Sequence, residues 1–394
     1  MKIAIPKERR PDESRVAASP DTVRKFIALG FEVVVEGGAG AGAAIPDSAF
    51  ADAGAAIAAD AAAVFADADM VLKIQRPLTA NDGGGPEAPD ELALMKKGAV
   101  LIGTLGALAN PADAVAYADA GITAFSLELL PRITRAQSMD VLSSQSNIAG
   151  YKAVLDAASE FGRAFPMMMT AAGTIAPARV FVLGAGVAGL QAIATARRLG
   201  AIVSAYDVRP AVKEQVESLG ARFVEVDAEA TADAETAGGY AKEMGADYQA
   251  RQAAVIHETL KKQDIAICTA LIPGRTAPVL ITEEMVKDMR PGSVIVDLAV
   301  EQGGNCPISE PGRVVVKHGV TLVGHLNVPA RLASDASAMY ARNVLNFVTP
   351  MVDPETKAFA IDWEDEIVAA CGIVRDGEVI HPDLAPPAAQ AKVG

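Results

Sequence analysis

The chain has 394 residues, 51% of them hydrophobic and 5% aromatic. That length predicts two or three domains, with two as the working count, and an Ala- and Gly-rich, aromatic-poor composition suits packed α/β layers. A formal net charge of −14 provides no electrostatic footprint for DNA, RNA or an anionic membrane surface.

Cys268, Cys306 and Cys371 are too scattered for a disulfide framework or a thiolate zinc site, which fits a reducing, intracellular compartment. His257, His318, His325 and His381 show no metal-ligand spacing, so no metal is expected. The start, MKIAIPKERR, reads as a first strand rather than a signal peptide. The longest uncharged runs, 164–178 and 180–196, fall short of the ~20 residues of a bilayer span.

In chain order, β-branched runs alternate with helical stretches: KIAIP, a helix over 21–29, FEVVVE, DMVLKI, AVLIGTL and ITAFSLEL. That alternation predicts a parallel sheet. EGGAGAGAAIPD at 36–47 satisfies a loose GxGxxA pattern through Gly38, Gly40 and Ala43, but Pro46 interrupts any phosphate-facing helix, so a structural turn is the stronger expectation. NDGGGPEAP at 81–89 is a breaker cluster and a surface loop. Residues 144–162 predict one long interdomain helix. RVFVLG, IVSAYD, ARFVEV, DIAICTA, SVIVDLA and VTLVG then suffice for a complete doubly wound sheet. After a helix over 333–347, a tail too small for its own core returns to the first domain, and its CGIVRDGEVIHP predicts a hairpin through Asp376 and Gly377. The expected fold is α/β: two Rossmann-like domains with parallel sheets, the first discontinuous (1–140 plus 332–394) and the second, nucleotide-binding, at 141–331.

RVFVLGAGVAGLQAIATARRLG places Gly184, Gly186 and Gly189 in GxGxxG spacing between an apolar strand and an Ala-rich helix. The first glycine permits a tight turn, the second lets backbone approach a pyrophosphate, and the third allows close helix-to-strand packing. The next strand ends in Asp207, where a carboxylate can hold adenosine ribose hydroxyls and repel a 2′-phosphate. NAD is therefore favoured over NADP, with Arg209 two residues on as an opposing feature.

PRITRAQSMDVLSSQSN crowds Arg132, Arg135, Gln137, Ser138, Asp140 and Ser143 together. Such side chains match the donors and acceptors of a nicotinamide carboxamide, and equally well make a capped helix start with a surface ion pair. Residues 227–248, with Gly238 and Gly239 before Tyr240, read as a cofactor lid or as a disordered acidic loop. VIVDLAVEQGGN puts Asp297 on a strand and Glu301, Gly303 and Gly304 past its carboxyl end, making Glu301 a candidate to face a ligand cleft.

MKIAIPKE with SRVAASP, KIQRP, RAQSMDVLSSQSN, FPMMMTAAGT, GAGVAGLQAIATA, AETAGGYAKEM and VDLAVEQGGNCP resemble, over nearly the whole chain, the NAD(H)-binding components of proton-translocating nicotinamide nucleotide transhydrogenases. These share a family with alanine dehydrogenases. The resemblance implies direct hydride transfer between NAD(H) held here and NADP(H) on a partner subunit, coupled through a membrane proton-channel subunit to proton translocation. It implies a homodimer, held peripherally at the cytoplasmic face of a bacterial inner membrane by its partners. Arg132, Asp140 and Ser143, with Ile133 and Thr134, would hold the nicotinamide, and Gln137 would appose the two rings. Val187, Asp207, Val208, Arg209, Gly239, Gln252 and Leu271 would line the nucleotide site, with Tyr240 on a mobile loop.

In alanine dehydrogenases the substrate-pocket counterparts would be Arg15, Lys73 and Glu301, the last replacing an aspartate. Their catalytic histidine has no equivalent between Ala99 and Leu108, where Thr104 stands near the place. Its loss removes a contribution of ~10²–10⁴-fold to proton transfer. An amino acid dehydrogenase and a non-enzymatic NAD(H)-sensing module remain as alternatives.

Overall fold

The computed structural model describes residues 1–82, 89–226, 245–272 and 275–384. The chain divides into two compact units, Met1–Gln145 with Ala330–Gly394, and Ser146–Pro329.

In the first unit the strands lie in the order Glu378–Val379, Gly372–Arg375, Thr123–Ser126, Val100–Thr104, Met70–Gln75, Lys2–Ile5, Glu32–Glu36 and Ala56–Ala58. The six from the N-terminal segment are parallel, while the two from the tail add on antiparallel. Successive strand residues point to opposite faces, so a sheet covered on both sides needs continuous apolar runs. Accordingly Ile3, Ile5, Met70 and Leu72 enter one core, and Ala4 and Val71 the other.

Helix Ala333–Val348 covers the first of those cores, with Ala336, Tyr340, Val344, Phe347 and Val348 recurring at three- and four-residue spacing on its buried side. Burial of each large side chain contributes roughly 1.5–3 kcal/mol. The tail hairpin turns through Asp376 (φ 52°) and Gly377 (φ 81°), both in the left-handed region that a two-residue turn requires.

The second unit orders its strands Arg222–Phe223, Ile202–Tyr206, Arg179–Leu183, Ile265–Cys268, Val294–Asp297, Val320–Gly324 and Arg313–Lys317. All are parallel except the last. Val180 and Val182 face one core, Phe181 and Leu183 the other.

Three short pieces lie outside the expected strands: Ala56–Ala58, the edge strand Arg313–Lys317, and an exposed hairpin of Met168–Thr170 with Gly173–Ile175. The edge strand turns into its neighbour through His318 and Gly319, which supply positive φ without an Asn-Gly signal. Helix Val141–Glu160 begins at Asp140, whose Oδ1 accepts from the Ser143 N–H at 2.9 Å. No helix among the described residues is long and apolar enough to cross a membrane.

Candidate dinucleotide-binding site

Strand order in the second unit reverses about Arg179–Leu183, so connections leave its carboxyl end and that of Ile265–Cys268 toward opposite faces. The crevice between two such ends is where open α/β sheets take ligands. Gly184 turns there with φ 97°, its N–H donating to the Tyr206 carbonyl at 2.8 Å. A Cβ on it would stand 2.7 Å from Thr269 Oγ1, and one on Gly189 would stand 1.9 Å from the Gly184 carbonyl oxygen. Both positions therefore require glycine.

Gly186 differs. Nothing lies within 4 Å of where its Cβ would be, and it opens helix Val187–Arg198 without a side-chain cap. First-turn N–H groups and the positive end of the helix dipole consequently face open space, the cradle a pyrophosphate needs. The residues present fit a dinucleotide.

Asp207 ends the adjacent strand almost buried, at 8% exposure. Its Oδ2 accepts from the Ala185 N–H at 2.7 Å, tying the acidic strand end to the glycine turn. Arg209 closes on the same carboxylate, donating from Nε to Oδ1 at 2.9 Å and from Nη2 to Oδ2 at 2.8 Å. The guanidinium that opposed an NAD preference in sequence is thus folded onto the acid and neutralises it.

Behind this edge, on helix Ala246–Leu260, Gln252 bonds the Tyr206 side chain and the Tyr248 hydroxyl lies 3.1 Å from that of Tyr206. Val187 and Leu271, 41% and 38% exposed, place apolar side chains on the two lips. Val208 is half-buried beside Asp207. Gly239 and Tyr240, with the expected lid, lie outside the described residues, as do 83–88 of the expected 81–89 loop.

In the first unit, Thr134–Met139 forms a 3-10 turn in which Ala136 and Met139 are buried while Thr134 and Gln137 are exposed. Arg132 is also exposed and Ile133 half-buried. Asn343 and Asn346 of helix Ala333–Val348 each donate from Nδ2 to the Ser138 carbonyl at 2.9 Å. Ser144 Oγ donates to Asn343 Oδ1 at 2.7 Å. Asp140 and Ser143 bond each other as a helix cap, and Arg135 is held by Asp365 and Glu366. The two asparagines are positioning side chains that sequence did not single out.

Arg15 and Lys73 are buried in the first unit with their charges already met. Arg15 donates through Nε and Nη2 to both oxygens of Glu13, at 2.8 and 2.7 Å, and through Nη1 to Gln145 at 2.8 Å. Lys73, 1% exposed, lies 2.9 Å from Glu91 and 3.2 Å from Glu8. Burial pushes the Glu8 carboxyl above its ordinary range, with Lys73 opposing. Thr104 donates to the Tyr340 hydroxyl at 3.3 Å. Glu301, exposed in the second unit, accepts from the Asn327 N–H at 3.1 Å. The GxGxxA-like turn is closed by Asp47, which accepts from the Gly38 N–H at 2.9 Å and opens only the short helix Asp47–Asp52. Among the described residues no group of three or more His, Cys, Asp or Glu could hold a metal.

A doubly wound unit with a glycine turn at its switch point, an uncapped helix N-terminus and a carboxylate at the next strand end defines a dinucleotide-binding α/β protein. The chain belongs to the alanine dehydrogenase/PNT family, whose N-terminal domain matches residues 4–149 and whose C-terminal domain matches 153–382. The first portion of NAD(P) transhydrogenase subunit alpha of Rhodospirillum rubrum, a separate chain in that organism, is 63% identical over 384 residues, 98% of this chain and 99% of that protein. The crystal structure of transhydrogenase from Sinorhizobium meliloti superposes with a TM-score of 0.85 at 51% identity, over 96% of this chain and 100% of that one. Alanine dehydrogenase of Halomonas elongata is 31% identical over 98% of this chain and 96% of its own.

Proposed function

We propose that this chain is the NAD(H)-binding subunit of a proton-translocating NAD(P) transhydrogenase. It would pass hydride directly between NAD(H) bound here and NADP(H) bound on a partner subunit, with a membrane proton-channel subunit coupling transfer to proton movement. The observation that carries the NAD(H) assignment is the open cradle over Gly186 beside the buried Asp207. Gly184, Gly186 and Gly189 give the pyrophosphate its turn, Asp207 to Arg209 meet the adenosine ribose, and Val187, Gln252 and Leu271 complete the walls.

Bound NAD(H) supplies the hydride or accepts it, and the chain's residues orient the ring and exclude water. Arg132, Ile133, Thr134, Asp140 and Ser143 address the nicotinamide end, with Gln137 setting ring apposition. Gly239 and Tyr240 belong to the same site. No acid/base group is needed, and the patch contains none of the four histidines. Exposed Met167, Met168, Met169 and Ile175 around the hairpin supply apolar surface for assembly, consistent with a homodimer seated on the cytoplasmic face of a bacterial membrane through its partners.

Self-neutralised Arg15 and Lys73 speak against the alanine dehydrogenase alternative, because an amino acid carboxylate would have to displace Glu13 or Glu8. The experiment mixes the chain with an NADP(H)-binding subunit and follows hydride transfer, then assays alanine-dependent NAD reduction by the chain alone. Transfer with no alanine turnover is expected. Alanine turnover would overturn the proposal, and NADH binding with neither activity would favour a sensing module.

A further inference from the structure

Asn305 is 0% exposed and sits in the loop that Asp297 gathers beyond its strand. Asp297 Oδ1 accepts from the N–H groups of Ala299 and Asn305, at 3.0 and 3.2 Å, and Oδ2 from Cys306 at 2.9 Å. The loop returns through Gly304 at φ 77°, where a Cβ would stand 2.8 Å from Asp297 Oδ2. This fold delivers the Asn305 amide to the neighbouring loop. Oδ1 accepts from the Ala270 N–H at 3.1 Å, while Nδ2 donates to the carbonyls of Ala270 at 2.9 Å and Pro278 at 2.8 Å.

The pairing with Ala270 has the reciprocity of a strand neighbour, at a point where the strand Ile265–Cys268 has already ended. Next to Ala270, Thr269 donates from its N–H to the Leu183 carbonyl at 2.8 Å and from Oγ1 to the Gly184 carbonyl at 2.9 Å. A continuous set of hydrogen bonds therefore runs from Asp297 through Asn305 and Ala270 to the glycine turn. Asp207 marks the adenosine side of that turn, so the other half of a dinucleotide extends toward Ala270 and Leu271.

We infer that Asn305 is a positioning residue that holds the Ala270–Leu271 lip for the nicotinamide half of NAD(H). The inference rests on the NAD(H) reading above. Deleting the amide leaves the Ala270 N–H and carbonyl without these partners and frees the lip without touching the phosphate cradle.

The test measures NADH and AMP affinities of the full chain, with thermal midpoints, for wild type, Asn305→Ala and Asn305→Gln. The expected result is an NADH Kd raised roughly tenfold in Asn305→Ala, and less in Asn305→Gln, with AMP affinity kept within about twofold. In the wild type, amide exchange at Ala270 and Leu271 should slow with NADH but not with AMP. Unchanged NADH affinity, or parallel loss of both ligands with a falling midpoint, overturns the positioning role. Should neither variant fold, exchange slowed by both ligands or by neither overturns it. A wild type that binds AMP but no NADH fails the cofactor reading and this inference together.

Discussion

Gly150 of helix Val141–Glu160 lies so close to helix Val187–Arg198 that a Cβ on it would stand 2.0 Å from the carbonyl oxygen of Ala188. The obstacle is backbone and cannot rotate aside. Gly150→Ala must push away the turn that opens the phosphate-facing helix, at an overpacking cost of about 1–3 kcal/mol or more. A lower thermal midpoint and weaker NADH binding are expected. Wild-type melting and titration curves would refute the account.

Asp207→Ala removes the acceptor of the Ala185 N–H and releases Arg209 from its bidentate contact. NADH affinity should fall roughly tenfold, while NADPH affinity should rise as the freed guanidinium takes a 2′-phosphate. Titrating both nucleotides gives the ratio. An unchanged preference would exclude Asp207 from discrimination.

Gln137→Asn is expected to slow hydride transfer to NADP(H) on the partner subunit while leaving NADH affinity nearly intact. Gln137 is exposed on a turn whose backbone is fixed from beneath by Asn343 and Asn346, so shortening it should not disturb the fold. Single-turnover kinetics beside equilibrium binding separates the two effects. Equal loss of both would make Gln137 a binding residue only.

Lys73→Met leaves Glu8 and Glu91 facing each other out of water, which should cost about 3–5 kcal/mol. Burial already raises the folded-state pKa of Glu8 above 4.5, and losing the ammonium raises it further. The folded variant then keeps protons that the unfolded chain releases as pH rises through 4.5, so the deficit deepens toward neutral pH and shrinks toward acid. Denaturant melts at pH 5 and pH 8 check the sign. Equal deficits at both would contradict it.

The α/β class was legible because buried parallel strands read as unbroken apolar runs, and the Asp376–Gly377 turn because its residue types carry the required φ. The glycine motif was legible because each glycine answers a local steric demand. The fold of Arg209 onto Asp207 was not, since two neighbouring charges on a turn can point together or apart. Asn343 reaches Ser138 across 205 residues, and Asn305 reaches Ala270 across 35; no local pattern encodes such pairings. The methionine hairpin escaped because its apolar residues face outward, against the expectation that apolar runs mark a core.

The return of the tail into the first unit sets an order of events during synthesis. The second unit is complete once residue 329 has been made, when the first still lacks everything from Ala330 onward. Phe125 then waits for both of its aromatic neighbours, Phe347 at 5.5 Å and Trp363 at 5.4 Å, and the strand Thr123–Ser126 waits for its antiparallel partner. Domains that follow one another along a chain fold from the N-terminal end first. Here the inserted unit can close on the ribosome while its host remains open, so the chain's oldest residues are the last to find their core.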